Sequence, residues 1–207
     1  MPKAPACKDC NNKKSWLEHY LLTVLPLGGR HSQAAANLQQ GVPKRLAKNQ
    51  KLHRELSGSA EHAWLKTGGG IYQPSGSVKF DGNKLGQLLK YVSRGLTWHH
   101  WGIYVSAEHK MRVLFSPDMF SLYLQSQLSA VQDDRKITID LGRGTVQYAG
   151  CQVGEPPDLT FWGISMYGGV MVSNNTGSTA GPEETSCQWW VITAPPELGD
   201  ALEGRSS

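Results

Sequence analysis

Cysteine, charged side chains and long apolar runs are all scarce in this chain. The chain has 207 residues, of which only 4 are Cys. Charged residues make up 18% of the chain and hydrophobic residues 39%, and this composition excludes a charge-driven disordered protein. No apolar run approaches the roughly 18 residues of a membrane-spanning helix, so no membrane association is expected. The first ten residues lack the apolar core of a signal peptide, and we therefore expect a cytoplasmic protein.

Several common motifs are also absent. The sequence contains neither G-x-G-x-x-G nor G-x-x-x-x-G-K-[ST], so no nucleotide cofactor is predicted. It contains neither the G-x-S-x-G of many hydrolases nor the H-E-x-x-H of zinc proteases. A disulfide framework is not expected in a cytoplasmic protein. Cys151 and Cys187 lie in strand-like segments and are predicted to be small buried hydrophobes.

Basic side chains are concentrated near the N-terminus. Residues 1–55 carry 10 Lys and Arg against 3 Asp and Glu, a net charge of +7. The other residues carry 11 basic and 14 acidic side chains, a net charge of −3. A basic segment beside a mildly acidic body favours an anionic partner, with nucleic acid first. The alternative is a solvated, lysine-rich helical surface, which is common in proteins.

Hydrophobic periodicity predicts an α+β fold, with helices first and an antiparallel sheet at the C-terminal end. Glycine and proline divide the chain into a basic helical region, a linker, an α+β body and a frayed tail, at 1–56, 57–80, 81–196 and 197–207. The predicted helices cover 15–25, 32–40, 43–56, 81–98 and 117–131, with Ser15 and Asp81 as N-caps. A helical turn is also predicted near 61–65, and the sheet is expected to have three or four strands.

Cys7 and Cys10 form a C-x2-C pair just before the first predicted helix. In a tight knuckle turn, two thiolates at this spacing point toward one tetrahedral metal, and Zn²⁺ suits such soft ligands. A closed structural site needs four ligands, and the pair supplies two. His19 and His31 are candidates for the others, although both positions are more typical of structural histidines. A chance pair and a redox pair are the alternatives. A thioredoxin-type motif is disfavoured, because in that motif the pair opens a helix that follows a strand within a βαβ unit.

The segment Cys7-Lys8-Asp9-Cys10-Asn11-Asn12-Lys13-Lys14, running into a helix, resembles the closing element of HNH endonucleases, which have a ββα-metal fold. The resemblance implies that Cys7 and Cys10 are half of a structural zinc site. It also implies that Asn11 lies beside a catalytic divalent metal such as Mg²⁺, and that Lys14 faces the nucleic-acid phosphate. The side chains predicted to contact DNA are Lys13, Lys14, Arg30, Lys44, Arg45 and Lys48.

Two parts of the HNH pattern are missing from the sequence: the upstream C-x2-C and the strand that carries the catalytic His. In that family the His is the general base that activates water. We therefore expect the C-terminal portion of an HNH-endonuclease-like protein, from a shortened reading frame rather than a degenerate relative, with little or no nuclease activity. The alternative is a non-catalytic nucleic-acid-binding or protein-interaction module that retains a zinc-knuckle remnant.

Trp98-His99-His100-Trp101 is a second conspicuous cluster. Its histidines could bind a metal, and its tryptophans could stack on bases. Adjacent helical residues point about 100° apart, so His99 and His100 would not naturally share a metal. We favour a structural interpretation, in which the tryptophans pack on the sheet and the histidines cap helix carbonyls.

Overall fold

A computed structural model describes residues 7–29, 31–66, 72–116, 126, 128–153, 159–171 and 186–198. The α-helices in these ranges are α1 Lys8–Gly28, α2 Ser32–Lys48, α3 Gln50–Gly58 and α4 Gly82–Trp101. The strands are β1 Glu61–Lys66, β2 Tyr72–Ser77, β3 Lys110–Ser116, β4 Lys136–Leu141, β5 Val146–Val153, β6 Leu159–Met166, β7 Val170–Met171 and β8 Ser186–Ala194. The predicted α+β fold, with N-terminal helices and a C-terminal antiparallel sheet, is confirmed.

The main sheet has six strands in the described residues rather than the three or four predicted. Its strand order is β3-β8-β6-β5-β4, and β7 pairs with β8 off this path. Every neighbouring pair is antiparallel. The β4–β5 connection turns through Gly142, Arg143 and Gly144, all at positive φ, and the two strands form an antiparallel hairpin. The spatial order of the strands differs from their order in the chain. The last strand, β8, lies between β6 and β3 and pairs with both.

One hydrophobic core joins the helices to the sheet. Its fully buried members include Leu17 and Leu21 of α1, Leu85 of α4, and Trp162 and Trp189 of the sheet. Apolar residues of α1 repeat every three or four positions, so they form one stripe that faces this core. The core leaves the opposite side of α1 and most of α2 and α3 on the surface.

The first helix begins earlier and ends later than predicted. Cys7, not Ser15, is the N-cap of α1: its sulfur accepts a hydrogen bond from the backbone N–H of Cys10 at 3.2 Å. The helix also passes through Pro26 to Gly28. Proline has no N–H for the carbonyl four residues earlier, which is that of Leu22. The Arg45 guanidinium donates to that carbonyl at 3.2 Å, so a neighbouring helix compensates for the missing bond.

The two helices predicted at 32–40 and 43–56 have different boundaries in the structure. α2 continues through Gly41 and Pro43, and the break falls at Asn49, whose side chain caps α3. Val42, which lies between Gly41 and Pro43, is buried, and the hydrogen bond from Arg45 to the Leu22 carbonyl connects α2 to α1. Tertiary contacts therefore outweigh the local helix-breaking tendency.

The predicted linker at 57–80 contains an antiparallel hairpin of β1 and β2. The helical turn predicted near 61–65 is wrong, because those residues form β1. Pro74 lies within β2, which is tolerated because a two-stranded sheet leaves each strand one free edge. β3 was not predicted. Of the helix predicted at 117–131, residues 117–125 and 127 lie outside the described residues, as do 199–207 of the tail.

α4 starts as predicted. The Asp81 carboxylate accepts hydrogen bonds from the backbone N–H groups of Asn83 and Lys84, which makes it the N-cap. The helix ends at Trp101, where Gly102 adopts the left-handed conformation with φ 69°. None of the described helices has both the length and the apolar character that crossing a membrane requires.

Candidate nucleic-acid interface

Cys7 and Cys10 lie at the start of α1 in a helical turn rather than a knuckle turn. Cys7 is exposed and Cys10 is half-buried. Hydrogen bonding to the Cys10 side chain, then to its backbone N–H, lowers the pKa of the Cys7 thiol. The same side-chain hydrogen bond, then burial, raises the pKa of the Cys10 thiol. The two cysteines are thus a hydrogen-bonded pair at a helix N-terminus, with Cys7 the more acidic thiol.

The described residues do not complete a zinc site around this pair. No group of three or more His, Cys, Asp or Glu side chains within the described ranges is placed to hold a metal ion. His31 is occupied elsewhere: its Nδ1 accepts from the Gln33 N–H, and its Nε2 donates to the Arg143 carbonyl at 2.9 Å. His19 lies three helical turns from Cys7 on the same helix. A closed four-ligand zinc centre is therefore not formed by these residues alone.

The residues that follow the pair lie on the surface of the first two turns of α1. Asn11 and Lys13 are exposed. Lys14 is half-buried and forms an ion pair with Glu18, one turn further along the helix. Since an i,i+4 pair of this kind is worth only a few tenths of a kcal/mol, a phosphate could replace Glu18 as the partner of Lys14. Lys13 and Lys14 thus remain available for an anion, whereas Asn11 has no carboxylate cluster beside it in the described structure.

The basic residues of α2 and α3 divide into two kinds. Lys44 and Lys48 are exposed and one helical turn apart, and Lys51 and Arg54 of α3 are exposed beyond them. Arg45 is half-buried against α1, where it stabilises the Leu22 carbonyl. Its predicted role in DNA contact therefore competes with a structural one. Arg30 lies outside the described residues.

The Trp98–Trp101 cluster attaches α4 to the sheet. The rings of Trp101 and Trp162 lie 4.8 Å apart, and the Trp162 indole donates to the Thr97 hydroxyl at 2.9 Å. His100 Nε2 and the Tyr148 hydroxyl share a hydrogen bond at 3.1 Å. Burial, followed by the charge of His99, lowers the pKa of His100. The predicted packing of tryptophan on the sheet is present, but His100 bonds to a tyrosine rather than to helix carbonyls.

A cleft lies between α1, α3 and the start of α4. It is a cavity of about 190 Å³, open to solvent, on the helical side of the molecule. Its walls are formed by Trp16, His19, Tyr20, Asn49, Lys51, Leu52, Glu55 and Lys84. We call this the Trp16 cleft.

The floor of the Trp16 cleft is held in place by contacts between α1 and α4. The Tyr20 hydroxyl accepts from the backbone N–H of Asp81 at 3.0 Å, and burial raises the pKa of Tyr20. The Lys84 ammonium lies 4.2 Å from the centroid of the Tyr20 ring and 5.2 Å from that of Trp16. Carboxylates of Asp81 and Glu55 lie 3.3 and 3.9 Å from the same ammonium. These contacts fix the positions of the Tyr20 ring and the Lys84 ammonium beside Trp16.

The sequence predictions did not include Trp16 or its cleft. One signal was available: Trp16 lies off the apolar stripe of α1, and a large aromatic at a solvent-facing helical position among lysines is unusual. The partners of Trp16 could not be predicted, because Asn49, Lys51 and Lys84 come from helices whose mutual packing the sequence does not reveal.

Comparisons with protein-family models, curated proteins and solved structures found no significant match.

Proposed function

We propose that this chain binds DNA through the basic surface of α1, α2 and α3. The observation that carries the proposal is the set of exposed lysines at 44, 48 and 51, none of which forms an ion pair with another described residue. Lys44 and Lys48 face the same side of α2, and like charges at this spacing repel. A phosphate backbone relieves that repulsion and releases counterions, which favours binding.

The resemblance of Cys7–Lys14 to the closing element of HNH endonucleases also supports a DNA partner. In a complete HNH site, the chemistry would be metal-dependent phosphodiester hydrolysis, with Cys7 and Cys10 as two zinc ligands and Asn11 beside a divalent metal. The described residues complete neither metal site. The function proposed for the chain is therefore DNA binding with little or no cleavage.

A plasmid-nicking assay tests the catalytic half of this proposal. We expect supercoiled plasmid to remain intact with the chain in either Mg²⁺ or Mn²⁺, because the described residues include no group of three or more His, Cys, Asp or Glu side chains that could hold a catalytic metal. Robust nicking that disappears in Asn11→Ala would overturn the expectation and assign hydrolysis to this chain.

Charge neutralisation tests the binding half. In the double variant Lys44→Gln/Lys48→Gln, we expect weaker binding of a fluorescein-labelled 20-bp duplex at low salt, measured by fluorescence anisotropy. Each phosphate contact that is lost should reduce the slope of log K against log[salt] by about 0.9. The control for net charge is Lys110→Gln/Lys136→Gln, which removes the same charge from the sheet, together with the ion pair between Lys136 and Asp133, and should bind DNA as the wild type does.

The control also defines the contradicting outcomes. Equal losses in both double variants would indicate a response to net charge alone rather than a surface on α2. No binding by the wild type at low salt would favour the alternative function, a protein-interaction module whose basic helices contact another protein.

A further inference from the structure

The Trp16 cleft has the size of a site for one ring. Pockets for drug-sized ligands measure about 300–1,000 Å³. At about 190 Å³, this cavity accommodates a single planar group rather than a complete cofactor. A ligand that inserts one ring and continues along the surface fits it better than a free metabolite.

The aromatic wall suits a planar ring. The Trp16 side chain is 56% exposed, although an indole normally packs more of its surface away from water. Lys84, which is itself held by two carboxylates, occupies part of the space over the indole. The remaining exposed indole surface can stack on a base, and such stacking does not depend on base identity.

The polar groups of the cleft complement a nucleotide. Asn49 uses its Oδ1 to cap α3 through the N–H of Leu52, which leaves its amide NH₂ as a donor for the ring acceptors of a base. Lys51 makes no ion pair with any described residue, and it can meet a phosphate at the mouth of the cleft. Glu55 is the one acidic side chain on the wall, and it lies beside Lys84.

The cleft adjoins the surface proposed for DNA. Lys51 belongs both to the cleft and to the row of exposed basic residues on α2 and α3. Lys48 ends α2 only three residues before Lys51, so the proposed DNA surface and the cleft meet where α2 passes into α3. Bases in a duplex are already stacked on their neighbours, so only an unstacked base can enter.

We propose that the Trp16 cleft binds one unstacked base of single-stranded DNA, which stacks on Trp16 while its phosphate lies near Lys51. The inference rests on the proposed function and adds a preference to it: single strands gain a contact that duplexes cannot make. Lys84 and Tyr20 are positioning residues, because they shape the wall without needing to touch the base.

Anisotropy with the full chain tests the site, using fluorescein-labelled oligo-dT and a labelled duplex of the same length. Loss of one stacked base is expected to weaken binding of the single strand by about 5- to 150-fold in Trp16→Leu. Trp16→Phe should recover most of that loss, since it keeps a ring. Duplex binding should be the same in all three proteins.

The matched control is Tyr104→Ala, which removes an aromatic side chain that is 72% exposed and lies outside the cleft. It should leave both affinities unchanged. Thermal melting of each variant checks the fold, which Trp16 hardly supports because it is mostly exposed.

Two results would overturn the base site and distinguish it from the proposed function. Trp16→Leu binding oligo-dT as tightly as the wild type, or losing duplex affinity by the same factor, would contradict the site while leaving DNA binding intact. A wild-type chain that binds neither oligonucleotide at low salt would contradict both.

Discussion

Gly150 and Trp162 are paired across β5 and β6, and their contact shows how strictly one residue can be required. A Cβ atom built on Gly150 would lie 2.3 Å from the Trp162 ring, which is fully buried. The ring cannot retreat, because Trp101 packs beside it and its N–H is bonded to Thr97. A glycine is therefore needed here for space rather than for backbone conformation.

We expect Gly150→Ala to destabilise the protein by about 1–3 kcal/mol, the usual effect of overpacking a core. The measurement is the midpoint of urea unfolding. The matched control is Gly86→Ala in α4, where an added Cβ meets no atom within 4 Å. That variant should be more stable by about 0.5–1 kcal/mol, because alanine favours a helix. Destabilisation by both substitutions would contradict the packing explanation.

Residue types also set how far the candidate site could be predicted. Lysine and cysteine positions are visible in a sequence, so the basic surface and the Cys7–Cys10 pair could be found. What each side chain contacts is not visible. Arg45 illustrates this, because its role depends on a carbonyl left free by Pro26 in another helix. Lys14 likewise has a partner, Glu18, that the proposed phosphate must displace.

At the scale of the elements, α4 contacts the sheet through the side chains of His100 and Tyr148, and His100 can be protonated. His100 and Tyr148 are hydrogen-bonded, and burial lowers the pKa of His100 below its usual 6.5. The unfolded chain therefore binds a proton more readily than the folded protein does. The contribution to stability is fully present above pH 6.5 and is lost as the pH falls through the lowered pKa.

We expect the melting temperature to fall between pH 7 and pH 5, and to fall less steeply in His100→Gln, which cannot be protonated. Differential scanning calorimetry at several pH values measures both slopes. The control is His53→Gln on α3, where the side chain is exposed. It should keep the wild-type slope, and a wild-type slope in His100→Gln would contradict the assignment.

Elements with strong local signals were predicted best. α4 has an acidic N-cap, a continuous apolar stripe and a glycine at its end, and its start was predicted correctly. β1 and β2 were missed because β1 follows a helix without clear alternation, and β2 contains Pro74 and Gly76, which are typical of loops. The two strands are stabilised by pairing with each other, because neither segment has a strong local preference for a strand.

In the whole molecule, the sheet and the helices contribute differently: the sheet provides buried core, and the helices provide the basic surface. A sheet and its buried tryptophans form one side of the core, and the helices that cover it carry the basic side chains on their outer surface. The α+β class could be predicted because periodicity changes along the chain. The strand order could not, because β8 pairs with β6 and β3 through contacts between residues far apart in sequence.

The separation of charge is the whole-molecule feature on which the proposed function depends. Residues 1–55 carry a net +7 and the rest of the chain a net −3, so orientation toward a polyanion is favoured before any contact forms. The Trp16 cleft lies on the basic side. Long-range attraction and a local stacking site are therefore arranged on the same helical layer.

The salt dependence of DNA binding tests the central claim most directly. The measurement is fluorescence anisotropy of a labelled 20-bp duplex with the wild-type chain from 25 to 300 mM NaCl. If Lys44, Lys48 and Lys51 each neutralise one phosphate, log K should fall linearly with log[salt] with a slope of about −2.7 or steeper. An affinity that does not change with salt, or no binding at 25 mM, would contradict the assignment of this surface to DNA.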